Sequence, residues 1–396
     1  MSASMLTVEE AQARMLALIA PLPVEGVPVE QAVGRYLAET LLAARTQPPA
    51  DLSAMDGYAV AGPGPWHKIG ESRCGEPFTG ALTACQCVRI STGAILPEGA
   101  DRILIQEDVV VEGDRVTAAE EPVLGQHIRR KGFEFAAGDT LLPSGTLMGP
   151  AQLALVRSAG HSAVPVRRVP TVAIFDSGDE LASDPAACAV HQIPASNGAM
   201  LGAMAAALPC KLTLGAPLPD RLDAIVAALE AQSDADLLVL TGGASVGDHD
   251  LARPALLAVG AELDFWKVAM RPGKPLMVAR RGRQLVLGLP GNPVSAYVTA
   301  VLFMLPALRH LLGAADCLPQ PIMLPLAVEC PEGGARREFL RGFLGPDGVI
   351  PAHQRDSSAL LTLARSNLLI DRPTQTDVTK AGTSVPCYLL ETGGIA

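Results

Sequence analysis

The chain has 396 residues, 49% of them hydrophobic and only 18% charged, which is enough apolar side chain for two to four separate cores. Its 41 acidic residues outnumber 31 basic ones, for a net charge of −10. That balance argues against a nonspecific nucleic-acid binder, which needs a basic surplus.

In chain order, Thr7–Ala20 predicts a helix. Thr7 stands as N-cap with Glu10 three residues on, ahead of Met15, Leu16, Leu18 and Ile19. The apolar stripe over Val29–Leu41 predicts a second short helix, closed by Gln47-Pro48-Pro49. From about 51 to 139 short β-type runs alternate with Gly-rich turns: Ala81–Ile90, Arg102–Gln106, Val109–Val111 and Arg115–Ala118. Helical spacing returns at Ala151–Ala159. Residues 1–47 and 140–168 therefore read as a helical unit split by a β insertion over 48–139.

Between 169 and 315 the rhythm becomes strand, loop, helix. Thr171–Phe175, Asp236–Thr241 and Gln284–Leu289 suit buried parallel strands. Helices are expected near Asn197–Leu208, Arg221–Glu230 and Val294–Leu312. Such alternation predicts an α/β doubly wound parallel sheet with ligands at the carboxyl ends of its strands. Val294–Leu312 is apolar, but Pro306, Arg309, His310 and the preceding Gly291-Asn292-Pro293 mark it as a buried helix rather than a membrane span. Residues 316–396 have short strands and Gly/Pro turns, as in a small β barrel or sandwich. The start MSASMLTVEEAQARML shows neither a basic nor an apolar leader pattern. The eight cysteines include no C-x-x-C. Both point to a reduced, cytoplasmic protein.

Two Gly-rich loops follow predicted strands: Thr241-Gly-Gly-Ala-Ser-Val-Gly-Asp-His-Asp250 and Leu289-Pro-Gly-Asn-Pro-Val-Ser295. Converging backbone amides and a helix N-terminus would make an anion site there. A single loop of this kind is also an ordinary tight connection; two at neighbouring strand ends point to a ligand. A third strand end carries Asp176-Ser-Gly-Asp-Glu180, which reads either as a solvated capping turn or as carboxylates beside a cation. Lys267–Pro275 sets Lys267, Arg271 and Lys274 on a Pro/Gly turn, local positive charge in an acidic chain. Asp56, Thr92, the 129–134 segment, Arg336, Arg341, Ser357 and Ser358 are not specific by spacing alone.

Taken together, SAMDGYAV, RISTGAILPEGADRILIQED, SGDEL, TGGASVGDHD, FWKVAMRPGKP and GLPGNPVSA resemble, in order and over nearly the whole chain, the molybdopterin molybdenumtransferases. The resemblance implies four domains and a homodimer whose active cleft lies between subunits. It implies insertion of molybdate into adenylyl-molybdopterin with release of AMP, assisted by Mg2+, with no nucleic acid or membrane as partner. By position it implies that Gly242, Gly243, Ser245, Pro290, Gly291, Asn292, Ser295 and Thr92 hold that substrate. Arg271, Lys274, Pro275, Arg336, Arg341, Ser357 and Ser358 would meet molybdate. Asp56, Glu134, Glu180 and Asp250 would be catalytic acids, and Asp248 and Asp250 would hold the metal.

The chain departs from the family pattern at Phe133 and Glu134 (usually Glu-Asp), Ala195 (usually Asp), Asp176 (usually Thr) and Arg271 (usually Lys). An adenylyltransferase, a tungsten-preferring enzyme and a noncatalytic binding protein are the competing expectations.

Overall fold

A computed structural model describes residues 5–120, 123–242 and 251–390. The first helix, Val8–Ala17, starts with the expected capping box: the Glu10 amide donates to the Thr7 hydroxyl at 3.1 Å, and the Thr7 amide donates to Glu10 Oε2 at 2.8 Å. Its buried stripe, Val8, Ala11 and Met15, belongs to the core around the central sheet.

The helix expected over Val29–Leu41 is not there. One 3₁₀ turn, Val29–Gln31, is all that forms. Gly34 then takes a φ of +80°, and the amides of Gly34 and Leu37 donate to the carbonyls of Met148 and Thr146, far away in sequence. The apolar stripe was a true sign of burial: Val29, Ala32, Leu37 and Leu41 pack on Met148, Val156, Val164 and Val166. Its partners lie in the second half of the split unit. Two antiparallel strand pairs join those halves, Val24–Pro28 with Ala163–Arg167 and Leu41–Leu42 with Thr140–Leu142.

The β insertion holds a six-stranded sheet in the order Arg102–Ile105, Gly57–Ala61, Gln86–Ile90, Trp66–Ser72, Arg115–Ala118, Val109–Glu112. The run expected from Ala81 is a strand only from Gln86, because Cys85 takes a φ of +62°. Gly57–Ala61 and Trp66–Ser72 escaped the sequence reading. Gly57–Ala61 is buried at every position, so it shows no alternation.

The central sheet also has six strands, ordered Lys211–Leu214, Thr171–Asp176, Leu237–Thr241, Gln284–Leu289, Met277–Arg281, Glu262–Trp266. The first four run parallel; Met277–Arg281 is antiparallel to both its neighbours, so it alone runs against the other five. Helices Asn197–Ala206 and Pro293–Leu311 share one core with Val8–Ala17; Leu222–Ala231 and Ala252–Ala258 share a core on the opposite face. Pro293–Leu311 is long and apolar enough for a membrane span and is 78% buried within the protein. It widens into a π-helical turn at Ala300–Met304. Pro306 has no N–H to offer the Leu302 carbonyl, and the Gln12 side-chain amide donates to that carbonyl at 2.8 Å instead.

The C-terminal sheet runs Met270–Arg271, Arg337–Gly345, Leu368–Arg372, Ser384–Leu389, Ile322–Pro325, with Gly348–Pro351 on the second strand. Its first strand is borrowed: Met270 and Arg271 pair in parallel with Arg337 and Glu338. The predicted cationic turn is thereby fixed to two domains at once.

Candidate active cleft

Three parallel strands, Thr171–Asp176, Leu237–Thr241 and Gln284–Leu289, end at the floor of a cleft of about 1,050 Å³. The C-terminal sheet forms its far wall. The floor is a polar lock. Thr241 Oγ1 donates to Asp176 Oδ1 at 2.6 Å, and the Gly198 amide donates to Asp176 Oδ2 at 2.9 Å. Asn197 Nδ2 donates to the Gly291 carbonyl at 2.7 Å, while its buried Oδ1 has no hydrogen-bond partner among the described residues.

The two Gly-rich loops touch. A Cβ on Gly291 would lie 3.5 Å from Gly242 Cα. Gly242 itself has a φ of +84°, and a Cβ there would sit 2.2 Å from the Ser177 carbonyl oxygen, so only glycine fits. Gly243, Ser245, Asp248 and Asp250 lie outside the described residues. From the second loop, Pro290, Gly291, Asn292 and Ser295 all line the cleft. Asn292 caps helix Pro293–Leu311 and donates from Nδ2 to Ser357 Oγ at 2.9 Å, bridging the walls. The amides at this helix N-terminus carry positive potential toward the cleft.

Arg271, Lys274, Pro275 and Arg336 line the opposite side. Gly273, with a φ of +103°, sets the turn between them. Arg271 Nη1 stands 3.5 Å from Glu338, and Arg336 Nη1 donates to the Met270 carbonyl at 3.2 Å. Ser357 and Ser358 lie on the same wall. The Ser358 hydroxyl and amide both donate to Asp356, at 2.6 and 2.8 Å, and hold its carboxyl below the usual carboxylate range.

Arg341 is held by the protein itself. It lines the cleft, yet its Nη1 donates to the Ala359 carbonyl at 2.9 Å, and its Nη2 donates to those of Gln354 and Asp356 at 2.7 and 2.9 Å. Burial pushes its guanidinium down from its ordinary value. The side chain therefore builds the serine loop.

Glu180 is at the cleft rim. Asp56, Thr92 and Glu134 do not reach this cleft in one chain; they belong to the β insertion. There the Thr92 amide donates to Asp56 Oδ1 at 2.7 Å and, with the Thr92 side chain, keeps Asp56 below the usual carboxylate range. The Glu134 amide donates to the Gln47 carbonyl, and neighbouring Phe133 is 74% exposed. The sequence reading left Asp220 and Glu338 unassigned, although both line the cleft. For Glu338 a signal existed: Arg336 and Glu338 are two apart, the spacing that puts residues on one face of an extended segment.

Three family descriptions match the chain. These are the MoeA N-terminal region (domain I and II) over residues 6–160, the probable molybdopterin binding domain over 173–310, and the MoeA C-terminal region (domain IV) over 323–390. A molybdopterin molybdenumtransferase of Haemophilus influenzae is 34% identical over 348 residues, 86% of each chain. One from Staphylococcus aureus is 31% identical over 399 residues, covering 97% of this chain and 95% of that one. Among solved structures, the molybdopterin biosynthesis MoeA protein of Pyrococcus horikoshii superposes with a TM-score of 0.85 at 26% identity, covering 98% of this chain and 100% of that one.

Proposed function

The chain belongs to the MoeA family of molybdopterin molybdenumtransferases, enzymes of molybdenum cofactor biosynthesis, and from that premise we propose how its cleft works. The substrate is adenylyl-molybdopterin. Its anhydride phosphates lie on the paired loops at Gly242 and Pro290–Ser295, and molybdate is held across from them. One observation carries this reading: a wall with Arg271, Lys274, Arg336 and two serines faces two abutting Gly-rich loops across a single cleft. A tetrahedral dianion needs fixed cations and hydroxyl donors, and an anhydride needs amides and a helix N-terminus on its phosphate oxygens. The reaction transfers molybdenum to the dithiolene and releases AMP.

The site is completed by a second copy of the chain. Asp56, Thr92 and Glu134, like Arg129, Arg130 and Lys131, belong to the insertion and are absent from the cleft lining of their own chain. In a homodimer the insertion of one subunit brings its acids to the cleft of the other. Mg2+ is proposed as an assisting ion. Its expected ligands Asp248 and Asp250 lie outside the described residues, and among the described residues no cluster of three His, Cys, Asp or Glu side chains gathers to hold a metal. The eight unpaired cysteines fit a reducing, cytoplasmic setting.

AMP release from adenylyl-molybdopterin on adding molybdate tests the reading. Lys274→Ala should raise the KM for molybdate about tenfold, the loss of one charge-assisted contact. Asp250→Ala and chelation of Mg2+ should both slow release. A parallel series with tungstate reads the metal preference. Release without any oxometallate requirement, or Lys274→Ala kinetics identical to the parent, would remove the assignment. Synthesis of adenylyl-molybdopterin from ATP would instead favour an adenylyltransferase.

A further inference from the structure

Glu338 occupies an unusual position behind the cationic wall. Its side chain is 4% exposed and lies between two guanidinium groups, Arg271 at 3.5 Å and Arg372 at 3.6 Å. Arg271 is half exposed and faces the cleft, whereas Arg372 is 3% exposed beneath it. Glu338 Oε2 and both terminal nitrogens of Arg372 are buried without a hydrogen-bond partner among the described residues. The contact to Arg271 follows from strand register, since Arg271 and Glu338 are paired residues where the borrowed strand joins the C-terminal sheet.

A buried carboxylate stripped of its only cation is strongly destabilising. With one arginine, Glu338 would hold Arg271 permanently. With two, Arg271 can turn away and leave a paired carboxylate behind.

We propose that Glu338 is a positioning residue shared by two arginines: it tethers Arg271 at the wall of the empty cleft, and Arg372 retains its charge when Arg271 turns to the oxometallate. The consequence is a prearranged donor fork that can still move. A cation fixed in advance loses less conformational freedom on capturing the dianion. The inference rests on the proposed meeting of Arg271 with molybdate.

Steady-state AMP release is measured in the full-length protein at saturating adenylyl-molybdopterin, with molybdate varied. Glu338→Gln, nearly the same shape without the charge, should raise the molybdate KM about fivefold and change kcat less than about twofold. In an Arg271→Met background the same substitution should change KM no further, because the tethered group is gone. A residue that only supports folding would lower the melting temperature and the active fraction, leave KM per active site unchanged, and act equally in both backgrounds. That result overturns the proposal, as does a fall in KM, which would make Glu338 simply a repelling charge. Should Glu338→Gln fail to fold, Arg372→Gln serves instead. Its unshared Glu338 should grip Arg271 more firmly, raise KM, and again be silent in Arg271→Met. If Arg271→Met alone leaves the molybdate KM untouched, the site reading itself fails, an outcome separate from the failure of the tether.

Discussion

Arg341 lines the cleft, yet its observed partners are all protein. Arg341 has three backbone carbonyls as partners, from residues 13 to 18 positions further along the chain. Nothing in the sequence around it encodes such partners, so its charge alone suggested a ligand contact. Arg341→Met should loosen the 354–359 loop, cost about 2 kcal/mol in a denaturant titration, and slow AMP release through Ser357 and Ser358. Arg341→Lys should rescue little, since one ammonium cannot reproduce a planar fork directed at three carbonyls. Full activity and stability in Arg341→Met would show that the loop holds its shape without the clamp. The meeting of Gly242 and Gly291 at neighbouring strand ends, in contrast, was legible, because Gly, Pro and Asn after a hydrophobic strand leave few backbone choices.

Secondary elements were readable where local chemistry decides them. The Thr7/Glu10 capping box and the strands Leu237–Thr241 and Gln284–Leu289 form where the pattern put them. The failed helix near Val29 had correct apolar spacing but takes its hydrogen bonds from residues more than 100 positions away. Long-range partners also tie two central strands at their amino ends. Asp236 accepts from Arg168 at 2.8 and 3.0 Å, and from the amide and hydroxyl of Thr171 at 2.8 and 2.9 Å. Burial would raise its carboxyl, yet Arg168 and Thr171 outweigh burial and hold it below the usual range. A depressed folded-state value means stability that is present above the unfolded value of about 3.9 and is lost as pH falls through the folded one. Asp236→Asn should therefore cost about 2 kcal/mol near neutral pH, and the gap should close in increasingly acid solution. Melting curves of both proteins from neutral to acid pH check this. A pH-independent gap would assign the loss to packing instead of charge.

At the scale of the whole molecule, the sequence foretold the fold class better than the strands that join one sheet to the next. The strand Met270–Arg271, which carries the cationic turn into the C-terminal sheet, is only two residues long and leaves no periodic trace. The proposed division of the site between two chains makes a quantitative forecast. Asp56→Ala and the double variant Arg271→Met/Lys274→Ala, each expected to be inactive as a pure dimer, are unfolded together and refolded as a mixture. Half of the dimers then hold one chain of each kind, with one intact cleft apiece, so about a quarter of parental activity should return. No recovery, in a mixture that demonstrably exchanges subunits, would mean that each chain carries its own complete set of acids.

The chain enters and leaves the β insertion side by side, from Ala43 beside Gly138 and Asp139 to Pro48 beside Gly132. The Ala43 amide donates to the Asp139 carbonyl, and the Gly138 amide donates back to Ala43, both at 2.8 Å. Everything in between hangs from the rest of the chain like a bead on a clasp. A lobe attached in that way can be trimmed, lengthened or traded among relatives without disturbing the register of the remaining fold.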